Sequence, residues 1–332
     1  MLLTEERAAA KAAARPGRRP RCDWLWGYGL IAPMALGLAV FYLWPIVQTL
    51  YLSFTESGVF GGQTWVGVDN FAALFGDEEM LGALRNTLLY SVLVLIGVPL
   101  AIVIAALLNV PGLRGLGFYR TLYFLPVVTM PAAVGLTWRY LYNGDFGLIN
   151  YLLGEIGIDG PYWVSDPEFA IYAIAVVGIW SSLGYNAVLF LAGLQGIPKH
   201  YYEAAAIDGA GRMRQFFKTL PRELDEAARL DGANPLQIYW WIMLPLVRPG
   251  LLALGLLTVM WSWSSLLWPL VVNTDPEMMT LSAGLASLRG QYLTNYPILF
   301  AGSVVASLPV IVLFVVMQRQ LIAGIAFTGS KG

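Results

Sequence analysis

The chain of 332 residues is 58% hydrophobic and 12% charged, where soluble domains carry about 45–50% and 25%, and its mean hydropathy is +0.63. These values exclude an ordinary soluble enzyme and point to a bilayer protein, with length for six helices at about 20 apolar residues per span. A formal net charge of −1 gives nucleic acid no basic field to bind, and the single cysteine, Cys22, excludes an internal disulfide or a cysteine-rich metal cluster.

In chain order, residues 1–23 hold Arg7, Lys11, Arg15, Arg18, Arg19 and Arg21 and read as a disordered basic arm, with a frayed helix as the alternative. Apolar runs follow at 25–54, 87–110, 121–142, 169–194, 251–272 and 297–322, each long enough to cross the hydrocarbon. The first is too long for a signal-peptide core, and Pro45 and Gln48 stand where a cleavage motif needs small residues. The expectation is an all-α membrane protein with six transmembrane helices. Basic residues favour one side: the arm, the 111–120 turn with Arg114 and Arg120, and the long connection after the fourth run with Lys199, Arg212, Arg214, Lys218, Arg222, Arg229 and Arg248. The other side carries Glu56, Asp69, Asp77, Glu78, Glu79, Asp145, Glu155, Asp159, Asp166 and Glu168, with Arg85 and Arg289 as exceptions. Lys and Arg are retained on the cytoplasmic face, so both termini are expected there.

The six runs contain no Asp, Glu, His or Lys, and Arg139 and Arg319 lie near run ends. Ionisable groups within spans mark proton and ion paths, so a proton-coupled carrier is disfavoured. The only histidine, His200, lies at a boundary, which argues against an intramembrane hydrolase. No G-x-x-x-x-G-K-[ST] loop is present. The chain is therefore expected to be no enzyme, to need no cofactor or metal, and to depend on another chain for any use of ATP.

Between the fourth and fifth runs lie about 50 residues, far more than a connection needs, and they contain a near-repeat. Its copies are Glu203-Ala204-Ala205-Ala206-Ile207-Asp208-Gly209-Ala210 and Glu226-Ala227-Ala228-Arg229-Leu230-Asp231-Gly232-Ala233. Glu and Ala form helix, the small alanines let another protein approach closely, and Gly ends the turn. Each copy reads as a docking peg, or else as an amphipathic helix lying on the membrane.

The strings EAAAIDGA and EAARLDGANPLQIYWWIMLPLVRPG resemble the EAA loop of binding-protein-dependent ABC importer permeases of the carbohydrate and glycerol-3-phosphate class. LIAPMALGLAVFYLWPIVQTLYLSF, VGVDNFAALF, LNVPGLRGLGFYRTLYFLPVV and LGYNAVLFLAGLQGIPKHYYEAA resemble that family's first, maltose-type larger subunit, and the likeness covers nearly the whole chain after Trp24. It implies a type I permease fold in a bacterial or archaeal inner membrane. It also implies coupling helices at Glu203, Ala204, Ala205, Asp208 and Gly209 and at Glu226, Ala227, Ala228, Asp231 and Gly232, which dock an ATP-binding subunit dimer. The implied partners are a second permease subunit or a second copy of this chain, an extracytoplasmic solute-binding protein and the bilayer. Sequence from about Arg214, including TDPEMMTLSAGLASLRGQY and GIAFTGSKG, resembles instead the family's other permease subunit. The expected organisation is an arm at 1–23, spans one to four with the first EAA copy at 24–211, and the second copy with spans five and six at 212–332, joined near 211–217. The second copy is expected to be the docked one, because Pro245 and Pro249 link it stiffly to span five.

Trp180, Ser181, Ser182, Asn186, Gln195, Trp261, Ser262, Trp263 and Ser264 read as a solute pathway that hydrogen-bonds and stacks on sugar rings, or equally as interhelical packing. Gly147, Tyr162 and Trp163 read as binding-protein contacts or interfacial anchors. The function expected is import of a sugar or sugar-phosphate-like solute by alternating access. The alternative is a non-transporting chimeric scaffold.

Overall fold

A computed structural model of the chain describes residues 23–57, 62–109, 114–195, 234, 237, 241, 244–273, 275–288 and 295–329. The EAA copies at 203–209 and 226–232 and the expected junction at 211–217 lie outside the described residues.

Helix α1 (Asp23–Leu38) passes through a π-helical stretch, Ala39–Leu43, into α2 (Trp44–Leu52). Pro45 has no N–H for the Phe41 carbonyl and its ring crowds that oxygen, so the helix widens just upstream. A short antiparallel hairpin follows, β1 (Thr55–Ser57) and β2 (Gln63–Trp65), with Thr55 opposite Trp65. Asn70, on α3 (Asp69–Gly76), donates from Nδ2 to the Ser53 and Thr55 carbonyls at 2.9 Å each, which ties the hairpin to the next helix. Asp77 caps α4 (Glu78–Val94) by accepting from the Glu79 and Met80 amides. The second apolar helix thus begins well before the 87–110 read from hydropathy. It continues, after a turn at Leu95–Ile96, as α5 (Gly97–Leu108); Pro99 cannot donate to the Leu95 carbonyl, which explains the interruption.

The third run departs from the single span expected over 121–142. It forms α6 (Leu116–Val128) and α7 (Pro131–Leu141), whose axes differ by 101°. Thr129 and Met130 are both extended, at ψ 148° and 122°. Pro131 disfavours helical backbone at the residue before it and starts the next helix well. A packed loop with α8 (Leu148–Glu155) leads to α9 (Pro167–Gln195). Past the undescribed stretch come α10 (Leu244–Trp263), α11 (Leu267–Val272), a 3₁₀ turn at Pro276–Met278, α12 (Leu281–Ser287) and α13 (Tyr296–Gly329).

Among the described residues, five helical stretches are long and apolar enough to cross a bilayer: Trp24–Leu52, Glu78–Leu108, Pro167–Leu191, Gly250–Val272 and Tyr296–Gln320. The bent pair would make a sixth. Helix α9 is the central member and packs on α4, α5 and α6, while α10 lies between α4 and α13. Its glycines permit this, since a Cβ at Gly184 would run into the Tyr123 carbonyl of α6. The core is several apolar clusters, one around Tyr90, Ile174 and Val272 and another around Leu74, Trp263 and Leu281. Helix α1 stays outside them, with Leu30 81% and Trp26 75% exposed.

Candidate functional site

A cavity of about 510 Å³ opens between α4, α6, α9 and α10. From α9, Gly178, Ser181, Ser182, Tyr185 and Asn186 face it; α10 contributes Leu254, Leu257, Thr258, Trp261 and Ser262. Tyr90 and Val94 of α4, Val127 of α6, and Ser265 complete the wall. Helical spacing makes this possible: 178, 181, 182, 185 and 186 recur at three and four residues and share one face of α9, as do 254, 257, 258, 261 and 262 on α10. Gly178 leaves room for the Tyr90 hydroxyl, which a Cβ there would approach to 2.6 Å, and Tyr90 and Ser265 both face the cavity.

Among the described residues, the wall has no carboxylate and no Lys, Arg or His. Four of its hydroxyls are turned back on their own helices: Ser181 donates to the Gly178 carbonyl, Ser182 to Ile179 and Ser262 to Val259, each at 3.0 Å, and Thr258 to Leu254 at 2.9 Å. Asn186 is 4% exposed, and its amide has no partner among the described residues. Tyr185 and Trp261 lie ring against ring, 5.4 Å apart and tilted by 39°, with Trp261 63% exposed. Such a surface combines an aromatic platform with hydrogen-bonding groups, as a pocket for a polar ring compound requires.

Of the residues expected to form a pathway, Ser181, Ser182, Asn186, Trp261 and Ser262 meet at this cavity. The others stand elsewhere. Trp180 is edge-on to Trp138 at 5.5 Å, Trp263 is buried and donates from Nε1 to the Ala306 carbonyl at 2.9 Å, and Ser264 is exposed in the turn that ends α10. Gln195 is the last residue of α9. Tyr90, Tyr185, Thr258 and Ser265 were not expected there. For Tyr90, the spacing of Thr87, Tyr90, Ser91 and Val94 on one face of α4 was the available signal.

Pro245 is exposed in the first turn of α10. Directly after the second EAA copy, the Asn234 amide donates to Gln237 Oε1 at 2.8 Å and the Gln237 amide to Asn234 Oδ1 at 2.9 Å. This reciprocal pair has the hydrogen-bond pattern of a capping box.

The 143–166 loop is organised around Asn150. Its Nδ2 donates to the carbonyls of Gly144, Gly160 and Pro161, and its Oδ1 accepts from Trp163 Nε1 at 2.6 Å. Trp163 is thus held inside the loop, packed on Phe169 and Tyr142. Tyr162, 56% exposed, donates to Asp145 Oδ1 at 2.8 Å; this hydrogen bond first, and then the Asp145 charge, raise its phenol above the ordinary tyrosine value. Gly147 is buried at the start of α8, where a Cβ would collide with the Asn143 carbonyl.

The family described as "Binding-protein-dependent transport system inner membrane component" matches the chain over residues 71–220 and again over 213–326. The chain belongs to this family. It is 40% identical over 217 residues to the "Probable ABC transporter permease protein YesP" of Bacillus subtilis (strain 168), a match covering 63% of this chain and 68% of that one. It is 38% identical over 208 residues to the sn-glycerol-3-phosphate transport system permease protein UgpA of Yersinia enterocolitica, covering 62% and 69%. Its fold is that of a chain in the crystal structure of a bacterial ABC transporter involved in the import of the acidic polysaccharide alginate, with TM-score 0.69, 22% identity and 92% and 96% of the two chains covered. A chain in the crystal structure of a bacterial alginate ABC transporter in complex with an alginate pentasaccharide-bound periplasmic protein matches at TM-score 0.69 and 21% identity, covering 90% and 93%. As a member of this family the chain is a membrane component of a transporter, and its apolar helices suit that place.

Proposed function

We propose that the chain is the membrane-spanning permease subunit of an importer for a sugar or sugar-phosphate-like solute in a bacterial or archaeal inner membrane. The observation that carries this reading is the cavity between α4, α6, α9 and α10, walled by hydroxyl, amide and aromatic groups inside helices apolar enough for a bilayer. Glycerol-3-phosphate transport in one relative and alginate import in the structural neighbour support a carbohydrate-like solute.

In this reading six spans, the bent α6–α7 pair counted as one, place both termini in the cytoplasm. A separate ATP-binding subunit dimer hydrolyses ATP and moves the coupling helix at 226–232 as a lever on α10. A second permease subunit or a second copy of the chain completes the pathway, and an extracytoplasmic solute-binding protein delivers the solute. Two conformations of the helices, open to opposite sides, alternate as the ATPase closes and opens. The two stretches over which the family matches meet at 213–220, which supports a division of the chain near 211–217 with a duplicated EAA segment.

The test is reconstitution of the full chain with its ATP-binding subunit, partner permease and binding protein in vesicles. Uptake of radiolabelled sugar that needs ATP inside and is lost in Trp261→Ala is the expected result; assembly of all components with no uptake of any sugar would favour the scaffold alternative.

A further inference from the structure

The cavity's chemistry points more narrowly than the names of the relatives do. The anionic group of a phosphate ester or a uronic acid carries acceptors only, and proteins hold such a group with cationic or concentrated N–H donors. Among the described residues, this wall has no Lys, Arg or His. Four of its hydroxyls have also spent their single proton on helix carbonyls: Ser181, Ser182, Thr258 and Ser262. A hydroxyl that donates backwards keeps its lone pairs for the cavity, so these four present acceptors. They match a ligand rich in O–H donors. Asn186, buried and without a partner among the described residues, offers both an acceptor and a donor, as one hydroxyl of a sugar requires. The Tyr185–Trp261 pair supplies an apolar platform for the face of a sugar ring.

The end of the bundle that carries the hairpin repeats the preference. There, Asp77, Glu78 and Glu79 at the start of α4, Asp145 and Asp159 in the loop before α9, and Glu277 are exposed, against Arg85 and Arg139 among the described residues. The Asn86 side chain joins these pieces by donating to the Glu277 and Met279 carbonyls. An approaching anion meets a like-signed field there.

We infer that the solute this cavity accepts is an uncharged polyhydroxyl glycoside, in contrast to the phosphate ester and acidic polysaccharide of the relatives. The inference rests on the transport reading above. It is tested on the full chain in lipid nanodiscs by saturation-transfer NMR. The probes are pools of neutral oligosaccharides from starch, cellulose, xylan and mannan, oligogalacturonates, glycerol 3-phosphate, and choline. A neutral oligosaccharide is expected to give a signal about tenfold above the charged probes, and Asn186→Leu, near in volume, to reduce it by about the same factor. Ser181→Arg is expected to shift the preference toward oligogalacturonates or glycerol 3-phosphate. Preference of the unaltered chain for an anion or for choline would overturn the inference and leave the permease reading intact. Absence of signal from every pool, in a chain that still assembles with its ATP-binding subunit, would overturn the pathway reading and the inference with it.

Discussion

Gly184 shows how one missing methyl sets the arrangement around the cavity. Its Cα lies against the Tyr123 carbonyl, which belongs to backbone and cannot swing aside. Gly184→Ala is expected to destabilise the protein by roughly 1–3 kcal/mol through overpacking, whereas Gly154→Ala on exposed α8, where a Cβ meets nothing within 4 Å, should be neutral or mildly stabilising; thermal unfolding in detergent compares the two. Tyr162 offers a second measurement at this scale. Its phenol is raised above 10.0 by the Asp145 hydrogen bond and charge, so the contact's contribution is present at neutral pH and is lost as pH rises past the ordinary tyrosine value and through the raised one. In an absorbance titration referenced to Tyr162→Phe, Asp145→Asn should bring the Tyr162 transition down; an unmoved transition would show that the pair does not form in solution.

Among the elements, the α6–α7 elbow departs most from simple hydropathy. A straight helix would place residues 119 and 140 about 32 Å apart, whereas a 101° bend brings them to about 20 Å. Spin labels at Tyr119 and Tyr140, both exposed, should report the shorter distance. Pro131→Ala restores an N–H and frees Met130 to become helical, so a population at the longer distance should appear. The elbow lies beside the cavity through Val127, and α7 packs on α11 through Gly135, where a Cβ would sit 2.8 Å from Val271. Straightening the pair therefore has to break the α7–α11 contact.

For the whole molecule, topology and coupling are the open quantities. A membrane-impermeant maleimide added to intact cells should leave Cys22 unlabelled, and likewise a cysteine at Gly332 in a Cys22→Ser background; both should label once the membrane is opened, and labelling of either from outside would sink the six-span arrangement. Gly232→Trp is expected to reduce co-purification of the ATP-binding subunit about tenfold, because a bulky side chain replaces the glycine with which the second EAA copy is expected to end. Gly209→Trp should be mild, since more than 20 residues separate the first copy from Asn234 and the span that follows it. Equal loss at both positions would make the first copy a docked element as well.

Composition and hydropathy by themselves determined that this is a helical membrane protein and roughly where its apolar helices lie, because covering some 30 Å of hydrocarbon with side chains leaves an unbroken apolar record in the chain. The paired EAA strings pointed to the transporter family, since a short local motif is legible without any tertiary contact. Helix ends were less legible: Asp77 starts α4 by capping inside what reads as an acidic loop, and Pro131 breaks a run whose hydropathy is continuous. Which polar residues face a cavity was decided only by tertiary packing. Trp261 and Trp263 are two positions apart, about 200° around a helix, so one faces the cavity and the other donates to Ala306 in the core. Tyr90 and Ser265 are far apart in sequence and share one wall only in the folded chain, where Gly178 leaves the room that the Tyr90 hydroxyl takes beside α9.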